Sequence, residues 1–305
     1  MSLASWNDGP ARDAILGYLA RITEEGGPQH VPAAERIAVF DNDGTLWCEK
    51  PAYIQALFIL SRLGEQAAAD PDLAARPVVQ ALLRGDLAAA AAAGGEQEMT
   101  AVLLDTHAGL TTDEFDAAAV RWLEAFRHPR FGVPFSGLAY APMLELMETL
   151  RGHGFRVFIV TGGGVDFVRA IGARLYGIEP DDMVGSAIRT RFERRDGRVV
   201  LVRTAALVGS PNEGEPKVES IHAHIGRRPI VAVGNSAGDR EMLEYAHTGD
   251  RASLCLVLDH DDEEREYAYG GEAVTNPDAE PILTTAGHFG WTVVSMRRDW
   301  SRVFP

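Results

Sequence analysis

Residues 37–46 read Ile-Ala-Val-Phe-Asp-Asn-Asp-Gly-Thr-Leu, so four apolar residues run directly into two carboxylates, Asp41 and Asp43. Because residues two apart on a strand point the same way, both carboxylates are expected to leave the end of a buried strand toward one small space. Two like charges so close need a cation or a shared proton, and an oxygen-rich site suits Mg²⁺. The stretch therefore predicts a magnesium-assisted site with a carboxylate nucleophile. The alternative is an acidic turn after a core strand.

The composition bounds the class of protein and its partners. A chain of 305 residues is long enough for one large domain or two. Its formal net charge of -15 opposes non-specific binding to nucleic acid and to anionic membranes, so neither is an expected partner. The same charge repels an anionic substrate, and any site for one therefore needs a local positive charge.

Cysteine usage and hydropathy favour a cytoplasmic location. Cys48 and Cys255 are the only cysteines, and they provide neither a disulfide framework nor a zinc-binding spacing. No apolar run approaches the roughly 18 residues of a membrane span. The first ten residues lack the apolar core of a signal peptide. We therefore expect a cytoplasmic protein, unless a leader has been removed.

The chain separates into an α/β part and a helical part. Strand signals vanish between residues 48 and 135, where apolar spacing is typical of helices. We assign residues 1–47 and 136–305 to an α/β core domain and residues 48–135 to a helical cap domain inserted after the first strand. The helices are predicted at 11–25, 53–60, 82–93 and 113–127.

Beyond residue 135, apolar strands alternate with helices, which indicates a parallel sheet covered on both faces. The strands are predicted at 156–160, 229–233 and 254–258, with a hairpin turn at 195–198 and an edge strand or covering segment at 291–296. Ligands of such sheets lie beyond the carboxyl ends of the strands. Three polar clusters fall at these ends, and we expect them to lie together: Asp41 with Asp43, Thr161, and Asn235 with Asp239.

Two later features offer what the carboxylate pair lacks. Thr161 and the three glycines after it present a hydroxyl and unhindered amides at a helix start, which suits an anion. The alternative there is a flexible turn. Lys217 is interpreted as a fixed positive charge that offsets repulsion between a phosphate and Asp41, or as a surface lysine among glutamates.

Other polar residues also have two interpretations. Asn235 and Asp239 suit Mg²⁺ or a helix cap. Glu49 and Lys50 follow the first motif closely and could face a substrate. His260 lies in an acidic run, and we expect it in a solvated loop rather than in an acid/base role.

In chain order, Asp41-x-Asp43-Gly44-Thr45, Thr161, Lys217 and Gly234-Asn235-x-x-x-Asp239 resemble the four motifs of the haloacid dehalogenase superfamily. The match is most similar to the phosphoserine-phosphatase-like branch, and it covers the core at about residues 30–47 and 136–260. The resemblance implies a Rossmann-like doubly wound parallel sheet, with residues 48–135 as the all-helical cap that covers the substrate.

The resemblance also implies a Mg²⁺ site and a reaction at Asp41. Asp41 would be the nucleophile and a metal ligand through its other oxygen. Asp43 would be the general acid and base, with its backbone carbonyl on the metal. Asp239 would complete the metal site together with Asn235. The first position of this last motif is often Asp, so Asn235 removes one acidic group, which weakens Mg²⁺ binding or moves ligation to Asp239 and water.

The remaining motif residues are implied to bind the substrate. Thr161, Gly162 and Gly163 would hold the phosphoryl oxygens, and Lys217 would neutralise charge. Phosphoserine phosphatases usually carry a glutamate shortly after the first motif that recognises the substrate amine. Glu49 is near that place but one residue early, which counts against phosphoserine itself.

The function expected from these residues is Mg²⁺-dependent hydrolysis of a small phosphorylated metabolite through an aspartyl-phosphate. The alternatives are a phosphotransferase, a dehalogenase and a catalytically silent binding protein on the same fold. Dehalogenases of this fold generally lack the second carboxylate, so Asp43 argues against that activity. The substrate, the oligomeric state and the role of the last 45 residues are not predicted.

Overall fold

The computed structural model of the protein describes residues 3–272 and 278–305. These residues form nine strands: β1 (Ile37–Phe40), β2 (Arg156–Gly164), β3 (Met183–Ser186), β4 (Ile188–Arg195), β5 (Arg198–Leu207), β6 (Val231–Gly234), β7 (Leu254–Asp261), β8 (Ala268–Tyr269) and β9 (Thr292–Ser295). They also form twelve α-helices: α1 (Pro10–Thr23), α2 (Ile54–Ala69), α3 (Pro71–Ala75), α4 (Pro77–Leu83), α5 (Leu87–Asp105), α6 (Thr112–Ala125), α7 (Ala141–Gly152), α8 (Val165–Tyr176), α9 (Glu215–Ser220), α10 (Arg240–His247), α11 (Ile282–Phe289) and α12 (Met296–Asp299).

Six of the strands form a parallel sheet in the order β3-β2-β1-β6-β7-β9. β8 pairs antiparallel with the end of β7. β1 lies in the middle, between β2 and β6, so the chain crosses from one half of the sheet to the other there. This is the doubly wound α/β arrangement, and the predicted fold class is confirmed.

The central strands are apolar throughout because helices cover both faces of the sheet. Along β1, Ala38 and Phe40 join one buried apolar cluster, and Ile37 and Val39 join another on the opposite face. The first cluster includes side chains of α1, α7 and α8, and the second includes side chains of α10 and α11. Each large aliphatic side chain buried this way contributes about 1.5–3 kcal/mol.

Residues 48–135, the helical segment, contain α2 to α6 and none of the named strands of the described residues. The helix predicted at 82–93 is confirmed from Leu87 onward, but its start is wrong, because α4 ends at Leu83 and Gly85 turns the chain with φ 73° before α5 begins. α5 is interrupted at Gly95, which has a non-helical φ of 72°. The assignment of residues 48–135 as a separate cap domain stays a prediction.

β4 and β5 form the predicted hairpin, which stands apart from the main sheet. Its turn consists of Asp196 and Gly197, both with positive φ, as a tight two-residue hairpin turn demands. Arg203 of β5 exchanges backbone hydrogen bonds with the loop between α5 and α6: its amide donates to Leu110 and its carbonyl accepts from Gly109. The hairpin is therefore attached to the helical segment.

The last residues complete the sheet. β9 pairs with β7 as its outermost parallel strand, which confirms the edge strand predicted at 291–296. α12 follows, and the rings of Trp300 and Trp6 then meet edge to face at 6.2 Å. In the described ranges, the helices are all too short or too polar to cross a membrane.

Candidate active site

The loop after β1 requires a glycine. The amide of Asp41 continues the sheet by donating to the carbonyl of Val233 at 2.9 Å. Gly44 then turns the chain with φ 74°, and a Cβ at this position would lie 2.1 Å from Nδ2 of Asn235. Because glycine tolerates both the dihedral angle and the close approach, Gly44 fixes the path of the loop that carries Asp43.

Lys217 is buried and bridges two carboxylates. Its Nζ lies 2.7 Å from Oδ1 of Asp41 and 2.6 Å from Oδ1 of Asp239. Only 2% of the lysine is exposed. Burial alone would lower the pKa of Lys217, but the charges of Asp239 and Asp41 outweigh it and raise the pKa. The side chain is therefore held as a cation inside the protein, and it is not a surface lysine.

The carboxylates around Lys217 carry more negative charge than its single ammonium group offsets. Burial raises the pKa of Asp41, and the charge of Asp239 adds to the rise while Lys217 opposes it. Burial also raises the pKa of Asp43, although the 2.8 Å hydrogen bond from Nε1 of Trp47 opposes the rise. Three carboxylates thus share one ammonium group, and such an excess of negative charge favours a bound cation.

Asp239 makes the hydrogen bonds of a helix cap. Its Oδ2 accepts from the backbone amides of Asn235 at 2.9 Å and Ser236 at 3.0 Å. Oδ1 of Asn235 accepts from Oγ1 of Thr45 at 3.0 Å. Within residues 3–272 and 278–305, no group of three or more His, Cys, Asp and Glu side chains is arranged to hold a metal ion. Metal ligation by Asn235 and Asp239 therefore stays a prediction.

Thr161 and the glycines after it lie at the carboxyl edge of the sheet. Oγ1 of Thr161 accepts from the amide of Gly163 at 2.9 Å, and Oε1 of Gln55 accepts from the amide of Gly164 at 2.7 Å. Nδ2 of Asn212 donates to the Thr161 carbonyl at 2.9 Å. Two amides from the predicted anion site therefore already have partners within the protein.

A cavity of about 460 Å³ brings most of the predicted site residues together. The predicted residues that line it are Asp41, Asp43, Glu49, Thr161, Gly162, Gly163, Lys217 and Asp239. Asn235 lies outside this lining, against Gly44. The other walls come from α2, α5, α6 and the β4–β5 hairpin, so the cavity lies between the sheet edge and the helical segment.

Glu49 and Lys50 differ in their position relative to the cavity. Glu49 is buried and lines the cavity. Burial raises the pKa of Glu49, and the Lys50 ammonium, 3.8 Å away, opposes the rise. Nζ of Lys50 lies 4.2 Å from the centre of the Tyr269 ring, a cation–π contact. Of the two residues, Glu49 is the one positioned to meet a bound molecule.

The expectation that His260 lies in a solvated loop is wrong. Only 3% of the residue is exposed. Its Nε2 lies 2.8 Å from the carbonyl of Gly44, and its Nδ1 lies 3.3 Å from Oε2 of Glu266. Glu266 also accepts from the hydroxyl of Tyr140 at 3.0 Å. Nε2 also lies 3.1 Å from the hydroxyl of Tyr269, so three polar groups hold the ring of His260.

His260 therefore connects the final part of the chain to the nucleophile loop. Burial alone would raise the pKa of Glu266, but the hydrogen bond and charge of His260 outweigh it and lower the pKa. The ring of Tyr269, from β8, stacks on His260 with centroids 4.2 Å apart. In the sequence, the contact between His260 and the nucleophile loop is indicated only by the position of His260 at the carboxyl end of a buried strand.

Gln55 and Asn212 were also missed. Both hold the backbone around Thr161, yet neither belongs to a motif that identifies it. Their partners are 109 and 51 residues away in the chain, so no local pattern marks them.

This combination of sheet edge, buried lysine and paired carboxylates defines a class of hydrolase. The chain belongs to the haloacid dehalogenase-like hydrolase family, whose sequence model matches residues 38–244. No curated protein matches the chain.

Several solved structures are similar to this one. A conserved protein of unknown function from Anaerococcus prevotii is 15% identical, with a TM-score of 0.52 over 82% of this chain and 85% of its own. A protein of unknown function from Bordetella pertussis is 18% identical, with a TM-score of 0.49 over 85% and 98%. A phosphoserine phosphohydrolase-like protein from Francisella tularensis is 15% identical, with a TM-score of 0.45 over 87% and 95%. At 15% identity, the likeness to the Anaerococcus prevotii protein concerns the fold alone.

We predict that His260→Ala lowers the free energy of unfolding by about 3–5 kcal/mol, because it removes the side chain whose hydrogen bond and charge stabilise the buried Glu266 carboxylate. Urea denaturation measures the change. Adding Glu266→Gln to this variant should recover part of the loss, since a neutral amide needs no counter-charge. His222→Ala, at an exposed position, is the control, and a His260→Ala protein as stable as this control would contradict the prediction.

Proposed function

We propose that the protein is a Mg²⁺-dependent phosphohydrolase that cleaves a small phosphomonoester through an aspartyl-phosphate intermediate. The observation that carries the proposal is the Lys217 bridge between Asp41 and Asp239, next to a second carboxylate, Asp43, on the wall of the same cavity. A cavity of about 460 Å³ suits a small metabolite rather than a macromolecule.

Asp41 is the proposed nucleophile. The carboxylate attacks phosphorus, a bond forms between its oxygen and phosphorus, and the bond from phosphorus to the leaving alcohol breaks. Lys217 holds Oδ1 of Asp41 and so fixes the orientation of the carboxylate. Its positive charge also offsets repulsion between Asp41 and the incoming phosphate.

Asp43 is the proposed acid and base. Its raised pKa favours the protonated form that a general acid needs. Oδ1 accepts the hydrogen bond from Trp47, whereas the amide of Asn42 makes only a longer 3.3 Å contact to Oδ2. The proton therefore belongs on Oδ2, from which it passes to the leaving oxygen. The resulting carboxylate then takes a proton from the water that hydrolyses the aspartyl-phosphate, releasing phosphate and Asp41.

The charge and the donor atoms of the site fit Mg²⁺. Three carboxylates share the single ammonium of Lys217, and the proposed ligands are all oxygen donors: Asp41, the backbone carbonyl of Asp43, Asn235 and Asp239. When bound, Mg²⁺ supplies positive charge to the phosphoryl oxygens. The Asp43 carbonyl and Asn235 are uncharged, so only Asp41 and Asp239 contribute negative charge to the proposed ligand set.

A phosphotransferase would use the same residues and differ only in its acceptor. Water is the proposed acceptor, and product analysis with added alcohols distinguishes the two reactions. For a dehalogenase, Asp43 in the cavity would have no role, and a silent binding protein would not need Asp41, Asp43 and Lys217 together.

The first test is Asp41→Asn. We expect kcat for release of phosphate from a panel of monoesters with Mg²⁺ to fall by at least ~10³-fold, because the amide is a poor nucleophile. Asp196→Asn makes the same chemical change at an exposed hairpin turn and should keep full activity. An Asp41→Asn protein that retains activity would rule out the aspartyl-phosphate mechanism.

The second test is removal of the metal. We expect EDTA to abolish phosphate release and added Mg²⁺ to restore it, because the uncompensated carboxylates repel the phosphate when no cation is present. Circular dichroism with and without EDTA checks that the fold is unchanged. Release that continues at the same rate in EDTA would contradict the metal requirement.

The third test separates the two roles of Asp43. With 4-nitrophenyl phosphate, whose leaving group needs no proton, Asp43→Asn should release about one equivalent of nitrophenolate in a burst. Turnover after the burst should be ~10²–10⁴-fold slower than in the unmodified protein, because no base activates the water. Stopped-flow absorbance measures both phases, and steady turnover at the unmodified rate would show that Asp43 is not the base.

A further inference from the structure

The helical segment and the hairpin contribute a mainly apolar wall to the cavity. Side chains of α2, α5 and α6 line it, among them Ile59, Leu103 and Phe115. Two polar residues of this wall, His107 and Arg203, are buried, with 4% and 7% of each exposed. Neither belongs to a motif of the nucleophile, phosphate or metal sites, so their role is separate from the chemistry proposed above.

The ring of His107 is held in one orientation. It packs against Phe58 with centroids 4.6 Å apart and the planes tilted by 35°, and it meets Phe115 edge to face at 5.2 Å. Its Nδ1 lies 2.8 Å from Oγ1 of Thr106, and that hydroxyl lies 2.7 Å from the carbonyl of Leu103. The Leu103 carbonyl can only accept, so it takes the single hydroxyl proton. Nδ1 therefore carries a hydrogen and donates it to Thr106.

This assignment leaves Nε2 of His107 as an acceptor. Burial, with added repulsion from Arg203 and Arg62, lowers the pKa of His107 to about 4, so the ring is neutral near pH 7. Nε2 then has a free lone pair, and it makes no hydrogen bond with any of the residues that the structure describes. A buried acceptor without a partner costs about 1–3 kcal/mol, which a bound donor would recover.

Arg203 offers a donor but little net charge. Its Nη1 pairs with Asp166, and its guanidinium lies 3.8 Å from the centre of the Phe115 ring. Among residues 3–272 and 278–305, its Nε has no hydrogen-bond partner. Because Asp166 matches the charge of Arg203, this wall does not favour an anionic group. The other acidic residues of the cavity, such as Glu49 and Glu213, would repel one.

We propose that this wall binds the leaving alcohol of the substrate, and that this alcohol is uncharged and largely apolar, with a second hydroxyl that donates to Nε2 of His107. The inference rests on the proposed function, and it excludes amino-acid phosphates such as phosphoserine as preferred substrates.

The test compares substrates that differ in one group. 6-Hydroxyhexyl phosphate carries the second hydroxyl, n-hexyl phosphate lacks it, and O-phosphoserine carries charges. We expect kcat/KM to be ~10–100-fold higher for the hydroxyl-bearing ester than for n-hexyl phosphate, as an unpaired buried acceptor costs about 1–3 kcal/mol. O-phosphoserine should be the poorest of the three. A preference for O-phosphoserine would overturn the proposal.

The variant His107→Phe tests the residue itself. It keeps an aromatic ring between Phe58 and Phe115 but removes the acceptor. We expect kcat/KM for 6-hydroxyhexyl phosphate to fall to the value for n-hexyl phosphate, while the latter is unchanged. A purely structural role would lower both values equally. His107→Gln, which supplies an acceptor oxygen, should restore part of the preference.

Binding of the free alcohols separates this inference from the proposed function. Calorimetry should show that 1,6-hexanediol binds more tightly than 1-hexanol to the unmodified protein, and that His107→Phe loses the difference. This readout needs no turnover. If monoesters are hydrolysed but His107→Phe keeps the preference for the diol group, the inference fails alone. If no monoester is hydrolysed, the proposed function fails, and the alcohol binding still decides the role of His107.

Discussion

The arrangement of the site depends on one buried ammonium group. Nζ of Lys217 lies 2.7 Å from Asp41 and 2.6 Å from Asp239, and these carboxylates follow two neighbouring strands, β1 and β6. Without the lysine, both carboxylates would be buried uncompensated, a change that typically costs about 3–5 kcal/mol. With it, Asp239 can use its other oxygen to hold the amides of the following turn. One cation thereby orders the ends of two strands.

The fold was predictable because its signals are local and repeated. The apolar run at 37–40 is buried on both faces, which is the pattern of a central parallel strand. Asp196 and Gly197 suit the positive φ values of a tight turn, so the hairpin turn could be placed from the sequence. The misplaced start of the helix predicted at 82–93 has the opposite cause. Its alanines favour helix at every position, and this propensity concealed the turn at Gly85.

Side-chain partners distant in sequence were not predictable in the same way. Lys217 was ambiguous, because glutamates around it suggested a solvated helix, and only the tertiary structure places it between carboxylates. His260 was misjudged for the same reason: its acidic neighbours in sequence differ from its neighbours in space, Gly44 and Glu266. The strand-end rule brings the right elements together, but it does not say which side chain of each element turns inward. Residues such as Gln55 therefore become visible only in the structure.

The two departures from the family pattern meet at one place. Nδ2 of Asn235 and Cδ of Glu49 lie 2.1 Å and 2.9 Å from the point where a Gly44 Cβ would be. Burial raises the pKa of Glu49, and Asp43 adds to the rise. A carboxylate at position 235 would add another negative charge beside this glutamate, whereas the amide keeps an oxygen for Thr45 and adds no charge. Asn235 and Glu49 therefore lie side by side at Gly44, and the uncharged amide at position 235 adds no like charge next to the buried glutamate.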